Sequence, residues 1–600
     1  MIRTMGTKRY RGMGVGKGGR RLIVVLCVLA LLLTQPAPAI AAPAVATTDD
    51  PQRRVNVPYF SGDVVYSQMA VFWFGALDSA SNSVDVRVGY NSTHLYLNLS
   101  IYDRYLWYDP SPEDSPLDAW DAASITLDTA DDGGTSPDSD DYKFVGQLNW
   151  WESGDEWQAA YQGNGSGWSP TSTSFTVTSG WRGDAPNNSN DDRAWVLRVW
   201  VPFSSLGLSG PPPQGTQWRL GIAVHDRDDS GGSYRSDKVW PEEFSAQSPA
   251  TWGGLTFGLP SYDPPEAAPG GTVTVREGLN GATVYDAGVG GTIGNNCPGD
   301  PYTIWNVWAN ANMGDVYRFN IQNQGDVSDF PCFSRYYVEF PLGAVPAGKA
   351  ILGATLTLYR WGGADPSQAQ SSLIQAYTIA DPWSESTITW NNAPLAVENI
   401  ARTWVSPVSG NVTIPGEPFS WDVSQAVADA YAAGTSANIA LYEADSAYHS
   451  GKYFIGSEEE DYYSYARPTL TVVWGEPAGV ADLNLVAMPG GADQGEMIEY
   501  TLYITGSGQR LSLANELPDG VSSPTSMDPG LDYGSGRVTW SGTPAVGQVV
   551  ALSYAVAVTT GSTAGLVSTA TLTQDDGSMW DTQSVAIANP IQSFLPVVLQ

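Results

Sequence analysis

Apolar residues in this chain recur at every second position in short runs, and that period limits the fold more than any other feature of the sequence. Leu95-Tyr96-Leu97-Asn98-Leu99-Ser100-Ile101 and Ala354-Thr355-Leu356-Thr357-Leu358-Tyr359 are two such runs, bounded by Gly, Pro, Asp and Asn. Side chains of a strand alternate between two faces, so this period spells half-buried strands. One stretch breaks it: residues 423–432 predict a short helix, opening after Asp422 and ending near Gly434. A chain of 600 residues exceeds a single core. Residues 262–271 are rich in proline and glycine, and Gly475-Glu476-Pro477-Ala478-Gly479 forms a second break. The expected fold class is all-β, three tandem β-sandwich domains over 53–260, 271–474 and 479–588.

A basic opening (Arg3, Lys8, Arg9, Arg11, Lys17, Arg20, Arg21) precedes an apolar run over 22–33 and a small-residue stretch ending Ala39-Ile40-Ala41. The run is too short to span a bilayer, so residues 1–41 read as a cleaved signal peptide. Arg20-Arg21 reads as ordinary flanking charge, with twin-arginine export as the alternative. The chain is thus expected outside the cell, with no membrane insertion after cleavage. Its net charge is −34, and cleavage removes basic residues only. Such a surface repels phosphate backbones and anionic headgroups, so no nucleic-acid partner is expected. Cys27 leaves with the peptide. Cys297 and Cys332 remain in an oxidising compartment and are expected to form a disulfide. Closing its loop of about 36 residues would contribute roughly 3–4 kcal/mol.

Three resemblances refine this picture. Trp383-Ser384-Glu385-Ser386-Thr387-Ile388-Thr389-Trp390-Asn391-Asn392-Ala393-Pro394, with the closing run Arg467-Pro468-Thr469-Leu470-Thr471-Val472-Val473-Trp474, resembles the two ends of a DNRLRE-type domain, a secreted bacterial β-sandwich in which one carbohydrate-binding family is also classified. In the first domain, residues 86–99, then Asp103, then Trp120-Asp121-Ala122-Ala123-Ser124-Ile125-Thr126-Leu127-Asp128 look like the core of family-nine carbohydrate-binding modules. Residues 221–229 and Trp252-Gly253-Gly254-Leu255 fit the end of that pattern. The resemblance implies sugar binding through aromatic side chains and structural calcium. The same fold also includes haem-binding relatives, so it does not settle the ligand. In the third domain, residues 481–485, 495–504 and Leu517-Pro518-Asp519-Gly520-Val521 resemble the Ig-like repeat of bacterial surface-protein stalks, which implies a spacer.

The first domain holds thirteen tryptophans, more than one sandwich core needs. Sugar rings present an apolar C–H face that stacks on indole. Trp107, Trp151, Trp157, Trp168 and Trp181 stand beside loop residues and are the candidate carbohydrate-binding set. Trp195 and Trp200 share one apolar run and are assigned to the core, and Trp120 is read as structural.

For metal, Asp226, Asp228 and Asp229 cluster hard oxygen ligands after a strand, and the expectation is a structural Ca2+ there. Asp128, Asp131 and Asp132 form a second cluster, read as solvated loop charge. His94, His225 and His449 are too scattered for zinc. Neither a phosphate-cradling loop nor a nucleophile elbow is present, and no unassigned stretch of ~250 residues remains for a catalytic barrel. Between 271 and 474 eight Lys and Arg face twenty Asp and Glu, which disfavours polyanions. The expected function is a secreted or cell-surface, non-catalytic, multi-modular protein that binds neutral polysaccharide. The alternatives are a structural adhesin or stalk without sugar binding and, less favoured, a polysaccharide hydrolase. The apolar tail over 591–600 reads as a last edge strand, with cell-envelope attachment as the alternative.

Overall fold

The computed structural model describes residues 53–590, apart from 79, 113–115, 150–154, 232–233, 292–307, 324–332, 364–368, 409–413, 445–450, 478, 480, 547 and 576. The alternating runs become strands, and the strands pair into six sheets, two to each region of the chain. Among the described residues no helix is long and apolar enough to cross a membrane.

In the first region an eight-stranded sheet runs in the order Arg54–Val57, Gly253–Phe257, Gln217–His225, Ala122–Asp128, Asp141–Gln147, Gln158–Gly163, Trp168–Pro170, with Lys238–Trp240 also paired to Gln217–His225. Opposite lie Ala70–Asp78, Ser81–Tyr90, His94–Tyr102, Ala194–Pro202 and Thr176–Arg182. The inward residues of the two sheets, among them Val86, Leu97, Ile125, Phe144, Leu197 and Ile222, close one core. Period two decides which indole is inside. Trp195 and Trp200 differ by an odd number of positions, so they face opposite ways: Trp195 is fully buried and Trp200 is 38% exposed. The assignment of Trp200 to the core is thereby corrected.

The second region pairs a six-stranded sheet, from Ala267–Arg276 through Thr469–Pro477 and Ala350–Gly363 to Lys452–Ile455 and Arg318–Ile321, with a five-stranded one that includes Ser334–Phe340 and Ala437–Glu443. Its helix, Ser424–Ala433, forms where the sequence places it. Asp422 Oδ1 accepts from the Ser424 N–H at 3.0 Å, and Gly434 ends the helix in the left-handed conformation. The stretch over 262–271 is only partly a linker. Ala267–Arg276 is a strand, with a register shift between Pro269 and Gly271. Glycine is needed there because a Cβ at Gly270 would lie 2.2 Å from the Trp474 ring. The third region forms a separate core of two sheets around Leu485, Tyr500, Leu513 and Tyr554.

The first two sandwiches are not independent beads. A further core is built from both: Val71, Trp73, Leu77 and Tyr102 of the first pack on Val289, Phe333, Tyr337, Tyr377 and Trp390 of the second. Polar groups lock the same face. Asn391 Oδ1 accepts from the Leu77 N–H at 2.7 Å while its Nδ2 donates to the Leu77 carbonyl at 3.0 Å. Asn56 and Asn399 exchange backbone and carboxamide bonds in the same way. The guanidinium of Arg335, itself buried, sits 4.4 Å from the Trp73 ring and 3.7 Å from the Trp390 ring. Asp85, wholly buried, accepts from Tyr442 Oη at 2.8 Å and Asn323 Nδ2 at 3.0 Å. Burial pushes its carboxyl up, while Arg87 and Arg335 pull it back.

Truncating a buried indole of this kind costs about 3–5 kcal/mol. Trp73→Ala is therefore expected to lower the melting temperature of both sandwiches together. Calorimetry of residues 53–477 should give one transition; two well-separated transitions would show that the shared core does not couple them.

Candidate functional site

Two antiparallel strands of the first sandwich, Ala122–Asp128 and Gln217–His225, frame the candidate centre. Asp121 precedes the first of them, Asp226 follows the second, and Ala122 lies opposite His225, so both carboxylates emerge at the same end. Asp103, just past the strand His94–Tyr102, reaches the same place. Asp103, Asp226 and Asp228 each offer a carboxylate oxygen within 4.8 Å of the others. Asp226 is 1% exposed, and neither of its oxygens has a hydrogen-bond partner. Asp103 is also buried: its Oδ1 accepts from the Tyr105 N–H at 3.1 Å and its Oδ2 is unmatched. Asp121 frames the centre with both oxygens used, accepting from the N–H groups of Arg227 at 2.8 Å and Trp107 at 2.6 Å. Asp228 is paired with Arg235.

Burial, followed by repulsion from neighbouring carboxylates, raises Asp103 and Asp121 well above the usual carboxylate range, and it pushes Asp226 up to about 7. Orphaned buried oxygens that converge in this way are a costly arrangement without a cation. They fit a hard divalent ion, which takes carboxylate oxygens in irregular geometry.

The expected metal set is corrected at one position. Asp229 Oδ1 accepts from the Gly231 N–H at 2.8 Å, within its own turn, and Asp229 does not join the group. Its place is taken by Asp103, which no local spacing could connect to Asp226.

The four candidate tryptophans among the described residues do not form one surface. Trp157 is buried, with Nε1 donating to the Asp109 carbonyl at 3.1 Å, so it holds the loop of Asp109 and is not a stacking platform. Trp107 is half-buried beside Asp121. Trp181, also half-buried, packs on the core opposite Trp195. Trp168 is half-buried, donates from Nε1 to the Ala246 carbonyl at 2.8 Å and lies parallel to Trp252 at 6.2 Å. Trp151 lies outside the described residues, as do Cys297 and Cys332.

Among the described residues of this sandwich, the most exposed indole is one the sequence reading set aside. Trp200 lies directly opposite Tyr96 in the sheet, with ring centroids 6.1 Å apart, and His94 follows at 5.7 Å from Tyr96. Asn91 Nδ2 donates to Tyr96 Oη at 3.1 Å. Rings and amide thus share one open sheet face, a combination suited to the apolar face and hydroxyls of a sugar. Counting parity along Ala194–Pro202 would have found it.

Residues 298–472 match carbohydrate-binding module family 96. No curated protein matches the chain. Among solved structures, a family-nine carbohydrate-binding module from Caldicellulosiruptor kristjanssonii in complex with cellotriose is 16% identical, with 35% of this chain and 95% of that one covered and a TM-score of 0.26. A putative carbohydrate-binding protein from Bacteroides uniformis is 12% identical over 34% of this chain and 99% of that one, at a TM-score of 0.27. The N-terminal domain of the Streptococcus gordonii adhesin Sgo0707 is 9% identical over 89% and 100%, at 0.17.

The raised carboxylate at Asp226 has a consequence that can be measured. Its folded pKa of about 7 lies above the ordinary aspartate value of 3.8, so the folded, metal-free protein holds a proton that the unfolded chain gives up. The contribution is therefore present at acid pH and lost as pH rises through that window. In chelator the melting temperature is expected to fall between about pH 4 and pH 7, and Asp226→Asn should flatten the fall. A melting temperature that climbs across that window in the unsubstituted protein would contradict the assignment.

Proposed function

We propose that this chain is a secreted, non-catalytic, multi-modular protein that binds neutral polysaccharide. The observation that carries the reading is the match of residues 298–472 to a carbohydrate-binding module family. The open Trp200–Tyr96–His94 face supplies a stacking surface on the adjoining sandwich. Neutral glycan is favoured over polyanion because acidic residues far outnumber basic ones in the whole chain. The third sandwich acts as the spacer, residues 1–41 as the export signal, and Cys297 and Cys332 as a disulfide. Asp103, Asp226 and Asp228 hold a structural Ca2+, which binds the native state only and so raises its stability.

A second reading, a structural adhesin without sugar binding, draws on the burial of Trp157 and the core packing of Trp181.

Titration of the full chain with soluble neutral glycans separates the two. A ring in the site contributes through its buried apolar area, so Trp200→Ala is expected to weaken binding by roughly 1–3 kcal/mol with the circular dichroism spectrum unchanged. Undiminished affinity for Trp200→Ala, Tyr96→Ala, Trp107→Ala, Trp151→Ala, Trp168→Ala and Trp181→Ala alike would remove the site from the first sandwich. For the metal, a chelator should lower the melting temperature; an unchanged value would leave Asp103, Asp226 and Asp228 as buried charge alone.

A further inference from the structure

The docked face of the first two sandwiches does not close completely. Between them lies a cleft of about 350 Å3, within the range of small-ligand sites, which form preferentially where modules meet. Each sandwich supplies one wall and the segment that joins them supplies a third. Gln68 and Ala70 come from the first sandwich, Gln375 and Arg402 from the second, and Leu259 and Tyr262 from the connection. Asp422 and Gln425, at the start of the helix Ser424–Ala433, complete the lining. These walls are fixed in place. Gln375 Nε2 donates to the Met69 carbonyl at 2.8 Å, and Tyr262 Oη donates to the Ile351 carbonyl at 2.7 Å. Asn399, also in the lining, is tied to Asn56 of the first sandwich. Thr403 Oγ1 donates to the Ser420 carbonyl at 2.5 Å, which joins the edge strand Glu398–Val405 to the strand Glu417–Asp422.

Two charges stay open in this cleft. Arg402 donates from Nη1 to the Gln68 carbonyl at 3.4 Å and is ion-paired to no carboxylate among the described residues, although acidic residues outnumber basic ones 63 to 29 in the chain. Asp422 uses Oδ1 on the Ser424 N–H and is ion-paired to no cation among the described residues. Gln425 donates from Nε2 to Asp429 at 2.9 Å. A cleft with one cation, one carboxylate and several carboxamides is neutral in sum and sets donors beside acceptors. That matches the vicinal hydroxyls of an uncharged sugar and suits neither an anion nor a cation. Pro58, Leu259 and Ile400 add apolar surface for its C–H groups. The edge strand adds a platform. Trp404 stands two positions from Arg402, hence on the same face, and is 48% exposed, more than any other indole among the described residues. Across the strand pair Arg402 lies opposite Gln375, a cleft residue, and Trp404 opposite Leu373, so the ring borders the cleft.

We propose that the junction of the first two sandwiches is a composite glycan subsite, in which Arg402, Asp422 and Gln425 bind hydroxyls of a neutral sugar while Trp404 stacks on the adjoining ring. The subsite rests on the carbohydrate-binding reading and is separate from the Trp200 face. Docking assembles it: neither sandwich carries the walls alone.

The test is calorimetric titration of the full chain with cellohexaose, xylohexaose and mannohexaose, read together with hydrogen exchange of the same complexes. The best-bound probe is expected to protect the backbone of 399–404 and 422–425 together. Trp404→Ala and Arg402→Ala should each weaken its binding about tenfold and remove that protection, with the melting temperature unchanged. Should either fail to fold, Gln425→Ala, at a half-buried position on the helix, gives the same readout. Affinity and protection unchanged in the folded variants overturn the subsite alone, whereas absence of binding by every probe overturns the carbohydrate reading and the subsite with it. Tighter binding of hexagalacturonate than of any neutral probe, lost in Arg402→Ala, overturns the assignment to a neutral sugar.

Discussion

The arrangement of the first two sandwiches depends on the charge set sealed between them. Asp85 from the first sandwich and Arg335 from the second are both buried, and neither would find water if the modules stayed together without the other. Removing one member of such a set leaves an uncompensated charge, at a cost of about 3–5 kcal/mol, whereas the intact set gains from the aromatic faces of Trp73 and Trp390 around the guanidinium. The apolar residues around it supply the association energy. The Trp-Asn-Asn-Ala-Pro stretch takes its meaning from this contact: Trp390 covers Arg335, and Asn391 binds both backbone groups of Leu77.

Within the first sandwich the strand pair Ala122–Asp128 and Gln217–His225 plays an analogous part. Its interior is apolar, and it delivers carboxylates to both of its ends. A sheet supplies what an acidic loop lacks, a fixed frame that keeps anionic groups close despite their repulsion. The same frame sets the difference between Asp229, which closes its own turn, and Asp226, which is held inward with both oxygens unmatched.

Fold class was legible because a strand writes its period into the sequence, and the helix over Ser424–Ala433 because Asp422 and Gly434 bracket it. What depends on long-range pairing was not. Asp103 and Asp226 stand more than a hundred positions apart, and only the fold makes them neighbours. Trp157 looked like a loop residue, but it is buried, with its Nε1 donating to the Asp109 carbonyl on another loop. Trp200 was legible in principle, since parity with Trp195 sets its face, but an apolar run read as a block conceals parity. Proline and glycine at 262–271 marked a linker, whereas from Ala267 on the segment pairs as a strand, with Trp474 filling the space above Gly270.

The locked contact between the first two sandwiches bears on how a long ligand would be held. Modules joined by a flexible tether search for a second grip with an effective concentration set by the tether. Here the tether is replaced by packed core, so the exposed ring face of the first sandwich keeps a constant distance and angle to the surfaces of the second. Under the proposed carbohydrate-binding reading such a pair would act as a rigid caliper, favouring polymers whose repeat and stiffness match its span over short or freely jointed chains.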